Sequence, residues 1–219
     1  MQFPNAYKGI KKIFVGEILV LIAQVILVPI YIIALLGING DELTEILETT
    51  APQYLIVLIL LAIGAGVFAL ISYILVIIGV VKATKDENSF KISLLGLFVG
   101  IAASIISAIF TGNSMVSAVC STVSELASLA STFFIIQGIR SIAIKLEDDI
   151  MEMKGITIFK IFFFILLLSA STHFVSKAFN NSFGDVVNLI LIIAGGILTV
   201  VQYILYISYL NKAKKMLEA

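Results

Sequence analysis

The chain has no tryptophan, one cysteine, one histidine and three prolines in 219 residues, and only 13% of it is charged. Each scarcity removes a class of function. Cys120 has no second cysteine to form an internal disulfide, and one cysteine with one histidine is too small a donor set for a transition-metal site. The 14 basic and 14 acidic side chains cancel, so the basic excess that nucleic-acid binding needs is absent. No Gly-x-Ser-x-Gly, His-Glu-x-x-His or paired-cysteine motif occurs, nor do the paired acids of intramembrane proteases. Ser124 and Glu125 are adjacent, and adjacent side chains diverge on a helix, so they do not form a nucleophile–base pair. The expectation is a protein that is not an enzyme and carries no cofactor.

What the sequence does have is oil. It is 60% hydrophobic, with a mean hydropathy of +1.14. Soluble domains carry about 25% charged residues, and a soluble fold with so little charge would leave large apolar patches in water. Six apolar runs stand out, at 13–36, 54–81, 91–110, 116–144, 156–179 and 186–210. Each is long enough to cross about 30 Å of hydrocarbon at about 1.5 Å per residue. None alternates as a barrel strand would, and a backbone in lipid must satisfy its own hydrogen bonds. The first run is also too long for a cleaved signal core. The predicted fold is an all-α integral membrane protein, with residues 1–219 forming a single six-helix transmembrane domain.

Basic residues orient it. Of the 14 Lys and Arg, only Lys177 falls on one side of this topology, while the loops of that side hold Asp41, Glu42, Glu45, Glu48 and Asp185. The positive-inside rule then puts both termini in the cytoplasm. With tryptophan absent, Tyr7, Tyr31, Tyr54 and Tyr209 are the expected interfacial anchors. The acidic and apolar stretch Glu147–Lys154 reads as a segment lying along the membrane surface.

The even-numbered spans end alike, in "YILVIIGVVKATK", "FFIIQGIRSIAIK" and "QYILYISYLNKAK". The odd ones begin alike, with a lysine at or near the first turn. This echo suggests three tandem helical hairpins related about an axis along the membrane normal. Three hairpins are also the plan of mitochondrial carriers, but their Pro–acid–base signature is missing here. The phrases "GIKKIFVGEILVLIA" and "YLNKAKKML" resemble multi-pass membrane proteins of anaerobic bacteria that have no assigned activity. In size and hydropathy the chain is similar to the substrate-capture subunits of energy-coupling-factor transporters. The resemblance implies a bacterial cytoplasmic membrane and brings no activity with it.

Two small-residue stripes draw attention. Ser93, Gly96, Gly100, Ala103 and Ser107 line the third span, and Ser117, Ser121, Ser124, Ser128 and Ser131 line the fourth. Joined by "TGNSM", these spans should be antiparallel neighbours, and small residues let helices approach closely in lipid. Ala194–Gly196 likewise reads as close packing. Glu125 sits among the serines, about 13 Å from the outer end at about 1.5 Å per residue. A carboxyl at that depth is costly unless it is paired, protonated or functional. His173 and Lys177 on the fifth span are at similar depth. Glu125, His173 and Lys177, with Ser121, Ser124 and Ser128, are therefore the candidate ligand- or ion-binding residues. Glu17, Gln24 and Tyr31 recur every seven residues and form a second polar face, on a helix that Pro29 should kink.

Two functions follow. One is a protein that binds or moves a small solute or ion through a polar pocket in the outer half of the bundle. The other is a non-transporting scaffold or assembly subunit, partnered by another membrane protein or by its own copies, whose stripes are helix packing alone.

Overall fold

The computed structural model describes residues 2–35, 52–110, 114–178 and 182–218. Among these residues every regular element is an α-helix: α1 (Pro4–Leu35), α2 (Pro52–Ala83), α3 (Ser89–Ile109), α4 (Ser114–Lys145), α5 (Asp149–Ala178) and α6 (Ser182–Glu218). Four stretches within them are long and apolar enough to cross a membrane: Ile56–Ala83, Ser89–Ile109, Met115–Lys145 and Ile193–Glu218.

The helices outrun the apolar runs at their basic ends. α1 begins at Pro4, whose missing N–H costs nothing at a first helical position. α6 continues past Leu210 through Lys212, Lys214 and Lys215. Charge ends a span, but Lys, Ala, Met and Leu are good helix formers, so it does not end the helix. Α1 also runs unbroken through Pro29.

The apolar side chains are distributed as lipid-dissolved helices require. Leu60, Leu70, Leu95, Ile109, Phe163 and Ile197 are each more than 60% exposed. In water such a surface would aggregate; against acyl chains it costs nothing.

The chain divides into two compact units, 12–79 and 1–11 with 80–219. In the first, α1 and α2 meet at Gly16. A Cβ there would lie 2.9 Å from Val76 Cγ2 and 3.0 Å from the Ser72 carbonyl oxygen. Ser72 Oγ donates to the Gly16 carbonyl at 2.8 Å. Ala23, Ala65, Ser72 and Val76 are buried in this unit, whereas Ala62 and Ala69 face outward.

In the second unit α3 packs on α4, α4 on α5, and α5 on α6. Its core lies toward the end where the helices finish in lysines, Lys145 on α4 and Lys215 on α6. Ile10, Phe90, Ile136, Ile139, Ile142 and Leu210 are fully buried there. Phe90 explains Gly138, because a Cβ at 138 would lie 2.7 Å from its ring. Burying one such side chain contributes about 1.5–3 kcal/mol.

Polar contacts close the same end. Asp86, in the α2–α3 turn, accepts from the backbone N–H groups of Asn5 (2.9 Å) and Ala6 (2.8 Å) and from Asn5 Nδ2 (2.9 Å). It thereby caps the N-terminus of α1 from a remote part of the chain, complementing the positive end of the helix dipole. Glu87 pairs with Lys145, and Tyr7 Oη donates to Glu218 Oε1 at 3.3 Å.

The segment Glu147–Lys154 is not a surface-lying strip. α4 stops at Lys145, Glu147 takes a positive φ of 58°, and the N–H groups of Asp148 and Glu147 bond back to the carbonyls of Ala143 and Ile144. This is a Schellman stop, in which a left-handed residue lets the last carbonyls find donors. Asp148 Oδ1 then accepts from Met151 N at 2.9 Å and caps α5. Met151 is 4% exposed and Glu152 pairs with Arg140, so one side of the first turn of α5 faces protein, while Ile150 and Met153 are exposed.

Candidate functional site

The serine-rich helix α4 lies against α3 with its hydroxyls facing specific partners. Ser93 Oγ and Ser131 Oγ are 2.9 Å apart and buried. Ser107 Oγ and Ser117 Oγ are 3.1 Å apart, and Ser107 Oγ is 3.2 Å from the Ser117 carbonyl oxygen. Between them Ser124 Oγ donates to the Gly100 carbonyl at 3.1 Å and lies 2.6 Å from Ser104 Oγ. Numbers rise along α3 as they fall along α4, so the pair is antiparallel.

The contact repeats every seven residues. Ser93, Gly100 and Ser107 on α3 meet Ser131, Ser124 and Ser117 on α4. Such a period keeps one narrow seam facing a partner helix. Gly96 and Ala103 lie beside it. A Cβ at Gly96 would sit 2.9 Å from the Ala127 carbonyl oxygen and 3.3 Å from Ser131 Cβ, and Ala103 is 6% exposed. At Gly100 the same atom would meet nothing nearer than 3.6 Å.

The five-serine stripe on α4 is therefore two faces. Ser117, Ser124 and Ser131 bond to α3. Ser121 and Ser128 are exposed, and so is Glu125 between them. Thr122 and Thr132, on the outer side of α4, return their hydroxyls to the carbonyls of Ala118 (2.9 Å) and Ser128 (3.2 Å). That local bond leaves their methyl groups outward. Among the described residues the Glu125 carboxylate makes no ion pair or hydrogen bond. Ser104 belongs to the seam although the spacing on α3 did not select it. Its signal lay in being one turn from Gly100.

His173 and Lys177 are on α5, but their side chains lie outside the described residues. α4 and α5 do pack together. Phe133 and Phe159 stack with centroids 4.4 Å apart and planes at 29°. Beside them opens an apolar groove of about 280 Å³, lined by Leu126, Leu129, Phe134, Phe162 and Phe163 among others. Glu125 does not line it.

The second predicted polar face divides in the same way. Glu17 is half-buried and has an interaction partner, Gln24 is exposed, and the side chain of Tyr31 lies outside the described residues. Gly195 and Gly196 are not close-packed: a Cβ at either would meet nothing within 4 Å. Tyr209 is not a lipid-facing anchor but is 2% exposed. Among the described residues no group of three or more His, Cys, Asp or Glu is placed to hold a metal ion.

No protein family, curated protein or solved structure matches this chain.

Proposed function

We propose that this chain is a non-enzymatic assembly subunit of a bacterial cytoplasmic membrane, with six spans and both termini cytoplasmic, whose outward Glu125 face joins a second copy of the chain. The observation that carries the reading is the division of the α4 stripe. Its inner serines are consumed by α3, which makes them packing. Its outer residues Ser121, Glu125 and Ser128 share one exposed face. In lipid that face has no water to bond to, and a carboxyl there costs a few kcal/mol until a partner is found. A second copy presents the same residues. One protonated Glu125 would donate to its counterpart, with the small serines allowing close approach. The cytoplasmic placement of the termini draws on the lysine asymmetry.

Crosslinking in native membranes tests it. In a Cys120→Ala background, Ser121→Cys and Ser128→Cys should give an oxidised dimer. Val119→Cys, exposed on another side of α4, should not. Glu125→Leu should abolish the dimer. A chain that stays monomeric in the bilayer with every cysteine variant refutes the reading.

The exposed Glu125 carboxylate, without a partner among the described residues, also favours a second reading, a solute- or ion-binding pocket completed by His173 and Lys177. Under it a cationic solute would raise the melting temperature of the wild type and not of Glu125→Gln. The crosslinking pattern would then be negative.

A further inference from the structure

In the second unit, α5 and α6 line a second cavity, distinct from the groove beside Phe159. It measures about 150 Å³ and is lined by Lys154, Thr157, Ile158, Ser208, Tyr209 and Lys212 among others. Engineered cavities of about this volume hold a benzene-sized molecule, so a phosphate group fits.

Three observations give it a chemical preference. First, two lysines from different helices, Lys154 and Lys212, line one small space. Lys154 is pushed below its ordinary range chiefly by its contact with Lys212, then by burial and by the charge of Lys212, with Asp148 opposing. Two cations this close repel each other, and the single carboxylate of Asp148 offsets this only in part. Second, Tyr209 is 2% exposed, and among the described residues its hydroxyl has no hydrogen-bond partner. A buried hydroxyl left unpaired costs about 1–3 kcal/mol. Third, the hydroxyl is held in place by Gly155, where a Cβ would lie 2.9 Å from Tyr209 Oη and 3.5 Å from Arg140 Cβ. Arg140 adds positive potential, and its Nε is buried and unpaired while one terminal nitrogen binds Glu152 at 2.8 Å. Of the nearby acids, Glu152 is paired with Arg140, while Asp148 caps the N-terminus of α5 and is a partial counter-charge to Lys154.

We propose that Lys154, Lys212 and Tyr209 form a binding site for a phosphate group, carried either by a lipid headgroup or by a soluble phosphate ester. The ammonium groups supply charge-assisted donors from two helices, and the unpaired Tyr209 hydroxyl supplies a neutral donor. Thr157 and Ser208 are exposed lining residues, the Thr157 hydroxyl donating to the Met153 carbonyl at 2.9 Å. All of these belong to one structural unit, and Glu125 is not among the lining residues.

Thermal melting of the full chain tests it in two arms. In detergent, sodium phosphate is compared with sodium chloride at equal ionic strength. In nanodiscs, phosphatidylcholine containing phosphatidic acid is compared with phosphatidylcholine containing the same charge as oleate. The wild type should melt about 3 °C higher with phosphate or phosphatidic acid than with its charge-matched control. A response to phosphate assigns the site to soluble esters, and a response to phosphatidic acid alone assigns it to headgroups. Lys154→Gln/Lys212→Gln should weaken phosphate binding roughly a hundredfold, and Tyr209→Phe about tenfold. Tyr209→Phe should melt no lower than wild type without ligand, since it removes an unpaired hydroxyl and keeps the ring. Lys215→Gln, exposed on α6 and outside the cavity, should behave as wild type. The proposal fails if neither arm moves the wild type. It fails too if the double variant keeps the response, or if Lys215→Gln loses it equally.

Discussion

Replacing Gly96 by alanine is the sharpest perturbation of the α3–α4 seam, because Gly100 offers an internal control one turn away. The Cβ added at 96 would sit 2.9 Å from the backbone oxygen of Ala127 and 3.3 Å from both Ser131 Cβ and Ser131 N. None of these atoms can swing aside, so the helices must separate locally by about 0.5 Å, a gap that already forfeits a quarter of each dispersion contact it opens. Overpacking of this kind costs about 1–3 kcal/mol. The separation also stretches the 2.9 Å bond between the buried hydroxyls of Ser93 and Ser131. Against this, alanine recovers up to about 1 kcal/mol of helix propensity. The expected balance is a loss of about 1–2 kcal/mol. At Gly100 the nearest atoms are 3.6 and 3.7 Å away, ordinary contact distances, so only the propensity gain remains. The two alanine variants should therefore differ by about 2 kcal/mol, roughly thirtyfold in the unfolding constant. Reversible unfolding in mixed micelles, followed by circular dichroism across a detergent titration, reads this difference. Equal stability for the two variants, or a more stable Gly96→Ala, would refute the seam as drawn.

Two further outcomes follow from the same geometry. Ser131→Ala should cost about 1–2 kcal/mol by leaving Ser93 unpaired, and adding Ser93→Ala should recover part of that loss, a coupling that a double-mutant cycle measures. Independent losses that simply add would count against the buried hydroxyl pair. At the basic end, burial would raise the Glu87 carboxyl, but Lys145, Ser141 and the Ser89 backbone outweigh it and hold Glu87 below the usual carboxylate range. Its folded pKa lies under its unfolded value of about 4.3, so the stabilisation is present above that pH and is lost as pH falls through the folded value. The stability gap between wild type and Glu87→Gln should close as pH drops from 7 to below 4; a gap that widens on acidification would contradict the pairing.

How far the sequence reached is clearest at α4. Its five serines do lie on one side of a helix, and the short loop does place them beside α3. Yet only Ser117, Ser124 and Ser131 meet that helix, while Ser121 and Ser128 are exposed. A spacing of four and three names a stripe, but a seven-residue seam uses only part of it. Which part depends on the rotation of each helix about its axis, and that is set by packing across the whole interface. Tyr209 makes the same point. An aromatic near a basic span end is ordinarily an interfacial anchor, and nothing local says that Gly155 and Arg140 of other helices will close over it.

The segment Glu147–Lys154 departs from its sequence expectation for a local reason. Mixed acids and methionines resemble a surface strip, but Asp148 caps α5 through the Met151 N–H, and Glu147 accepts the left-handed conformation usually given to glycine. The Asp86 cap on α1 was not legible, since its partners are about 80 residues away in sequence.

By itself, then, the sequence determined solvent and secondary structure. Apolar runs longer than a bilayer is thick, with almost no interrupting charge, have no stable alternative to helices in lipid. Tertiary structure alone decided which side of each helix is spent on its neighbour. That choice left Glu125 facing outward, brought Lys154 and Lys212 to one cavity, and buried the Tyr209 hydroxyl against Gly155. The physical reason is that hydropathy is nearly uniform around these helices, so steric fit and a few hydrogen bonds between chain segments, rather than exclusion from water, fix their rotation.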